Sequence, residues 1–295
     1  MRMFRRAGAL ITVVVSLVSL TPASGVAVPA AAAQGRWQRL ATTGTAVSAR
    51  SAPVAVGLGR SRSVCGGALD DFATGQATFY NDLYRLDVAG RAWTRLTPAG
   101  QPPPPRAFAA GAAHPASHRV FIFGGSTFDI QGTVFQPYGD LWAYSALTNR
   151  WTPQGSATPG PSARSGASMW LVGDRLYLFG GIDATFTTLN DLWQYDLRTS
   201  LWSPVATTGP VPPPRHVAQA GAMQRLGTLT LYGGEGLDPN VGFTALGDTW
   251  EFDLVRSRWR EVTPAVGNID PVRNYGAAAL VGASLYLHGG DVPGG

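Results

Sequence analysis

The chain has no lysine: all 23 of its basic residues are arginine, which marks the composition of its gene before it marks a partner. Cysteine occurs once, at Cys65, so no disulfide can form within the chain and the fold has to rest on its apolar core. Charged residues make up only 14% of the 295, and the arginines are scattered without a basic run. That distribution excludes the electrostatic footprint of a nucleic-acid binder. Histidine is confined to His114, His118, His216 and His288. Histidine and cysteine do not cluster, and neither a Gly-x-Ser-x-Gly elbow nor a phosphate loop occurs. Asp70-Asp71 and the stretch 238–240 lack the ligand count and spacing of a calcium loop. No metal and no cofactor are expected. Long apolar runs are missing as well, since the longest, 7–20, is too short to span a bilayer comfortably.

That run follows Arg2, Arg5 and Arg6 and leads through Pro22 into an alanine-rich stretch ending at Ala33, the layout of an export signal over residues 1–33. Its removal lowers the formal charge from +5 to +2 and leaves no stable membrane span; the alternative is an uncleaved anchor. A secreted, periplasmic or extracellular protein is expected, and the Arg5-Arg6 pair fits the twin-arginine route.

What the sequence has in plenty is turn residues, 37 Gly and 22 Pro, which favour many short strands over long helices. They recur in order. Gly-Gly pairs fall at 66–67, 124–125, 180–181, 233–234 and 289–290, in steps of 58, 56, 53 and 56 residues. Each pair is preceded by an Arg after a Pro- or Ser-rich loop, and the first four are followed by an Asp-Leu-Trp-like triplet and then a Trp. A period near 50 belongs to propeller-type arrays.

The third repeat shows the unit most cleanly. A small-residue strand reaches Val172, Gly173-Asp174 is a hairpin turn, and Arg175–Phe179 is a second strand that Gly180-Gly181 ends. Asp191–Tyr195 and Leu201–Val205 make the third and fourth. The innermost strand should be the first, built from Ala, Gly and Ser because neighbouring units converge there. Tyr84, Trp142, Trp193 and Trp250 on third strands, and Trp93, Trp151, Trp202 and Trp259 on fourth strands, should pack between sheets. Cys65 takes the place held elsewhere by Phe123, Phe179, Tyr232 and His288, and is expected to be a buried core residue.

The recurring Gly-Gly, aromatic and Trp resemble kelch-repeat proteins from Trp37 to Gly290. The resemblance implies an all-β fold, a kelch-type β-propeller of four-stranded antiparallel blades. Four complete blades are expected at about 50–97, 106–155, 164–206 and 215–263, with a partial fifth at 273–290 and an isolated outer strand at 36–41, so that the domain 34–295 forms an incomplete ring. Kelch-like rings usually have six or seven blades, so a chain cut short at Gly295 is the expectation; a small five-bladed ring is the alternative.

Alternation of strand direction puts the loops between second and third strands on the same face as the blade linkers, and both are long. Function is expected on that face. Arg50, Arg106, Arg164, Arg215 and Arg273 stand at its inner edge. Similar positions in kelch-type binding domains help form a pocket mouth, and guanidinium groups there would suit carboxylates. The other reading is that each arginine ties its linker to a neighbouring carbonyl. Phe72, Phe79, Phe128, Phe135, Tyr138, Phe186 and Phe243 lie in the long loops, either for recognition or to pack the loops on each other. The expected function is noncatalytic recognition of a protein or glycan. The alternative is an exported carbohydrate-active enzyme, mutarotase-like with Glu235 and Arg215 at the mouth, or oxidase-like; no position matches the copper site of galactose oxidase.

Overall fold

The computed structural model describes residues 17–19, 38–71, 73–129, 134–223, 227–263, 274–281 and 284–290. Its strands form four antiparallel four-stranded blades and part of a fifth, the arrangement of a propeller. The first blade comprises Val54–Leu58, Ser61–Cys65, Leu83–Asp87 and Ala92–Leu96, and the second Ala110–His114, Arg119–Phe123, Leu141–Ser145 and Arg150–Gln154. The third is Ser168–Val172, Arg175–Ile182, Thr188–Asp196 and Leu201–Pro204. The fourth is Gln219–Met223, Thr228–Tyr232, Thr249–Asp253 and Arg258–Glu261. The fifth unit pairs Ala277–Val281 with Ser284–His288, and Leu17–Ser19 lies antiparallel against the latter. The rest of the export signal expected at 1–33 falls outside the described residues.

First strands pack side by side from each blade to the next. Their small residues allow this approach: a Cβ on Gly111 would stand 2.2 Å from a methyl of Val54 in the preceding blade. The core lies between blades. One apolar cluster joins the first and second, another the second and third, and a last the third and fourth. Fourth-strand tryptophans close these seams. Trp202 meets Phe123 of the preceding blade at 5.4 Å between ring centroids, and Trp259 meets Phe179 at 5.1 Å. Cys65 is buried in the first seam, where burial and then the charge of Asp82 push its thiol up to about 12.

Two details differ from the sequence-based expectation. The outer strand expected at 36–41 does not form in its described part, 38–41; Thr43–Gly44 pairs instead, parallel to Ala92–Trp93. Gly44 has φ 81°, and a Cβ there would fall 2.1 Å from the carbonyl of Trp93, so close approach is possible only at glycine. Gly180-Gly181 does not end its strand, because the ladder resumes after a register shift and runs on to Ile182. In other blades the long loops hold separate hairpins, Ala68–Asp71 with Gln76–Phe79, Ser126–Phe128 with Phe135–Pro137, and Glu235–Asp238 with Gly242–Ala245.

Candidate functional site

The side chains of the repeated arginines are bolts within their own blades. Arg50, Arg106, Arg164 and Arg215 have side chains only 1–3% exposed, each paired with an Asp at the third strand of its own blade: Asp82, Asp140 and Asp248 just before the strand and Asp191 within it, at 2.5–2.6 Å. The same Nη1 donates to the carbonyl of the first glycine in the Gly-Gly pair, at 2.9–3.0 Å, and Nε donates to the carbonyl two residues back. All five N–H groups of Arg50 and Arg164 are used in this way once Ser48 and Ser162 hydroxyls are included. The main chain ties backwards, since the carbonyls of Arg106, Arg164 and Arg215 accept from Gly67, Gly125 and Gly181 of the preceding blade.

The aspartates are shaped by the same contacts. Burial raises the carboxyls of Asp140, Asp191 and Asp248, but the bond and charge of the paired guanidinium outweigh it, helped by the indole N–H of Trp142, Trp193 or Trp250, and hold them below the usual carboxylate range. These four arginines therefore follow the second reading offered by the sequence, the tie to neighbouring carbonyls. Their donors are engaged inside the protein, and the ligand-binding role expected for them is not carried further; Arg273 lies outside the described residues.

Two residues beyond each of the five repeated arginine positions the chain turns at positive φ, at Ala52 (46°), Phe108 (56°), Gly166 (66°), Val217 (49°) and Tyr275 (55°). A β-branched valine there is strained. The neighbouring blades hold it: Phe108 donates to the Ala52 carbonyl, Gly166 to Phe108 and Val217 to Gly166, at 2.7–3.1 Å, winding a hydrogen-bonded rim around the mouth. Phe108 and Tyr275 meet at 5.9 Å, so the second blade and the fifth unit face each other over it.

Just below this rim, one position after the bolt pairs with the residue that follows the Gly-Gly. Three of the pairs are Ser51 with Ala68, Ala107 with Ser126 and Ser165 with Ile182; the fourth is His216 with Glu235. Glu235 is buried. Its Oε1 accepts from the amide of Asn274 (3.2 Å) and its Oε2 from the hydroxyl of Tyr275 (3.0 Å). Burial pulls the His216 imidazole down to about 4, a backbone bond partly opposing it, so the ring is neutral near pH 7. Its Nδ1 faces the Glu235 carbonyl at 3.0 Å, and a carbonyl only accepts, so Nδ1 carries the proton. Nε2 is then an acceptor, 3.4 Å from Glu235 Oε2, and with a neutral ring this contact is not an ion pair. Asn274 Oδ1 is buried without a hydrogen-bond partner.

The other sequence candidates are spread out. His114 and His118 bracket a 3₁₀ turn at Pro115–Ser117 on the opposite face, and His288 ends a strand of the fifth unit. Glu235 and Arg215 both stand by the mouth, but Arg215 is committed to Asp248. Phe79 packs on Phe128 and Phe135 stacks on Phe186, each at 4.9 Å, so neighbouring loops hold one another as the second expectation for these aromatics had it. Phe72 is outside the described residues. Asn274 and Tyr275 were missed by sequence reasoning; their only signal is that they follow Arg273 as Ser51 and Ala52 follow Arg50.

Residues 30–152 and 64–290 match the KLHDC2/KLHL20/DRC7 Kelch-repeats domain. Among curated proteins the chain is similar to Host cell factor 1 of Rattus norvegicus, of Mus musculus and of Homo sapiens. Identity is 27% over 285 residues in each case, covering 90% of this chain. The chain spans 13% of the length of these relatives.

Proposed function

The chain belongs to the Kelch-repeats domain family, and from that premise we propose that it is a recognition module that binds a protein partner through the long-loop face. One observation carries the reading. The loop hairpins and mouth expose Leu69, Val134, Phe186, Leu237, Val241 and Tyr275 on one face, although the loops already have aromatic pairs of their own to hold them together. Aliphatic side chains raised on a framework of bolted blades suit a protein surface. A glycan would call for flat exposed aromatics, and of the loop phenylalanines described only Phe186 is markedly exposed.

Chemical cross-linking of the intact protein to its partners, read by mass spectrometry, tests this directly. Val134→Ser with Leu237→Ser and Val241→Ser should lose the cross-links, whereas Val88→Ser with Leu147→Ser and Val255→Ser, on the short-turn face, should keep them. The opposite pattern would overturn the assignment. Export belongs to the same proposal and rests on the arginines and apolar run at the N-terminus. N-terminal sequencing of the protein made in an exporting host should find a start near Ala33; retention of Met1 would sink that part.

A further inference from the structure

The loops of the long-loop face carry charge of one sign. The four loops 68–81, 126–139, 182–190 and 235–247, together with the linkers 97–105, 155–163 and 206–214, contain Asp70, Asp71, Asp129, Asp183, Glu235 and Asp238 and not one arginine. The opposite face is balanced: its turns carry Asp87, Asp174, Asp196 and Asp253 beside Arg60, Arg91, Arg198 and Arg256. Asp71, Asp183 and Asp238 accept backbone N–H groups within their own turns, which accounts for an Asp or Asn at those places. It does not account for the missing arginines, in a chain whose other turns supply them.

A second observation, the unpaired Oδ1 of Asn274, lies by the mouth on this face. Beside Glu235, whose carboxylate accepts from Asn274 and Tyr275, lie the acceptor Nε2 of His216 and Oδ1 of Asn274, a residue 93% buried, and this oxygen has no donor. A buried acceptor left without a donor is costly, so a site of this composition favours a ligand rich in N–H groups. The aromatic rings of Phe108 and Tyr275 beside it add faces that attract cations.

We propose that the partner of this face is a cationic segment of another protein, with arginine or lysine alternating with apolar residues, one basic side chain being received at the Glu235–Asn274 cluster. The proposal rests on the reading of the long-loop face as a protein-binding surface. Guanidinium or ammonium donors meet the acceptors at the mouth, the acidic loops surround the remaining positive charge, and Val134, Phe186, Leu237 and Val241 take the apolar side chains between. Like charge turns away nucleic acid and acidic peptides.

The test uses the full chain and fluorescein-labelled peptides of equal length that alternate Arg with Leu, Ser with Leu, or Glu with Leu, read by anisotropy. The Arg–Leu peptide should bind at least about tenfold more tightly than the Ser–Leu one, with the Glu–Leu peptide weakest, and the difference should shrink as NaCl is raised from about 50 to about 300 mM. Glu235→Gln keeps the shape of the centre, and Asp129→Asn with Asp183→Asn and Asp238→Asn keeps the turn acceptors of the rim; each should remove most of the preference. Asp174→Asn with Asp253→Asn on the opposite face should leave it intact. Equal binding of Arg–Leu and Ser–Leu peptides, still abolished by the loop-face serine variant, would overturn the cationic partner and leave the binding face standing. Binding that ignores every loop-face variant, or no binding of the Arg–Leu peptide up to about 1 mM, would overturn the proposal, and indifference to the serine variant would remove the face as well.

Discussion

Removing Asp248 while leaving Arg215 in place should destabilise the protein far more than an ion pair at a surface would allow. The side chain of Arg215 is 1% exposed and that of Asp248 20%, and the two carboxylate oxygens take Nη1 and Nη2 at 2.6 and 2.7 Å. In Asp248→Ala the guanidinium keeps only the carbonyls of Pro213 and Gly233, and Trp250 loses the acceptor of its indole N–H at 2.6 Å. Stranding a buried charge costs about 3–5 kcal/mol. In a domain of this size that is a fall of about 10 °C in Tm, followed by tryptophan fluorescence or near-UV circular dichroism. Arg215→Met with Asp248→Ala removes the stranded charge but orphans two carbonyls, so the double variant should be about 2 kcal/mol more stable than the sum of the single losses predicts. A loss under about 1 kcal/mol in Asp248→Ala, the value of an exposed pair, or simple additivity in the cycle, would refute the description of these arginines as buried bolts of their blades.

Three other outcomes follow from the same framework. Because the carboxyls of Asp140, Asp191 and Asp248 are held below their unfolded value near 3.9, their contribution is fully present above that pH and is lost as pH falls through the folded values; Tm should decline already below about pH 6.5, where the unfolded chain protonates the His216 that the fold keeps neutral, and drop again below about pH 4, this second fall being less steep in Asp248→Asn. Gly124 and Gly173 share a positive φ, 63° and 56°, but a Cβ on Gly124 would meet the Arg164 carbonyl at 2.4 Å and one on Gly173 meets nothing within 4 Å. Gly173→Ala should cost about 1–2 kcal/mol and Gly124→Ala more than twice that in urea unfolding, and equal losses would remove the steric argument. Cys65 should resist maleimide at neutral pH in the native protein and react once denatured, since the thiolate is the reactive form and burial suppresses it; rapid native labelling would contradict its place in the core.

Much of the framework was open to view in the sequence. The small residues of the inner strands, the Gly-Gly pairs and the fourth-strand tryptophans each answer a local demand, of convergence, of close backbone approach or of a seam to fill, and each demand recurs in every blade. The bolts were half visible. Arg50, Arg106, Arg164 and Arg215 are followed by their aspartates at offsets of 32, 34, 27 and 33 residues, a recurrence that points to a pair in each blade. What the pattern could not say was whether the guanidinium groups faced a ligand or the protein, because both uses require the same residue at the same place.

Repetition in sequence therefore determined the blade, its strands and the face on which the long loops stand, since each follows from residues close along the chain. The tertiary structure alone decided that the arginines are spent on framework and that Glu235 gathers His216 from its own blade with Asn274 and Tyr275 from the next. Glu235 lies 39 and 40 residues from the last two. No local periodicity encodes that meeting, because it is made by the packing of one blade against another around the mouth.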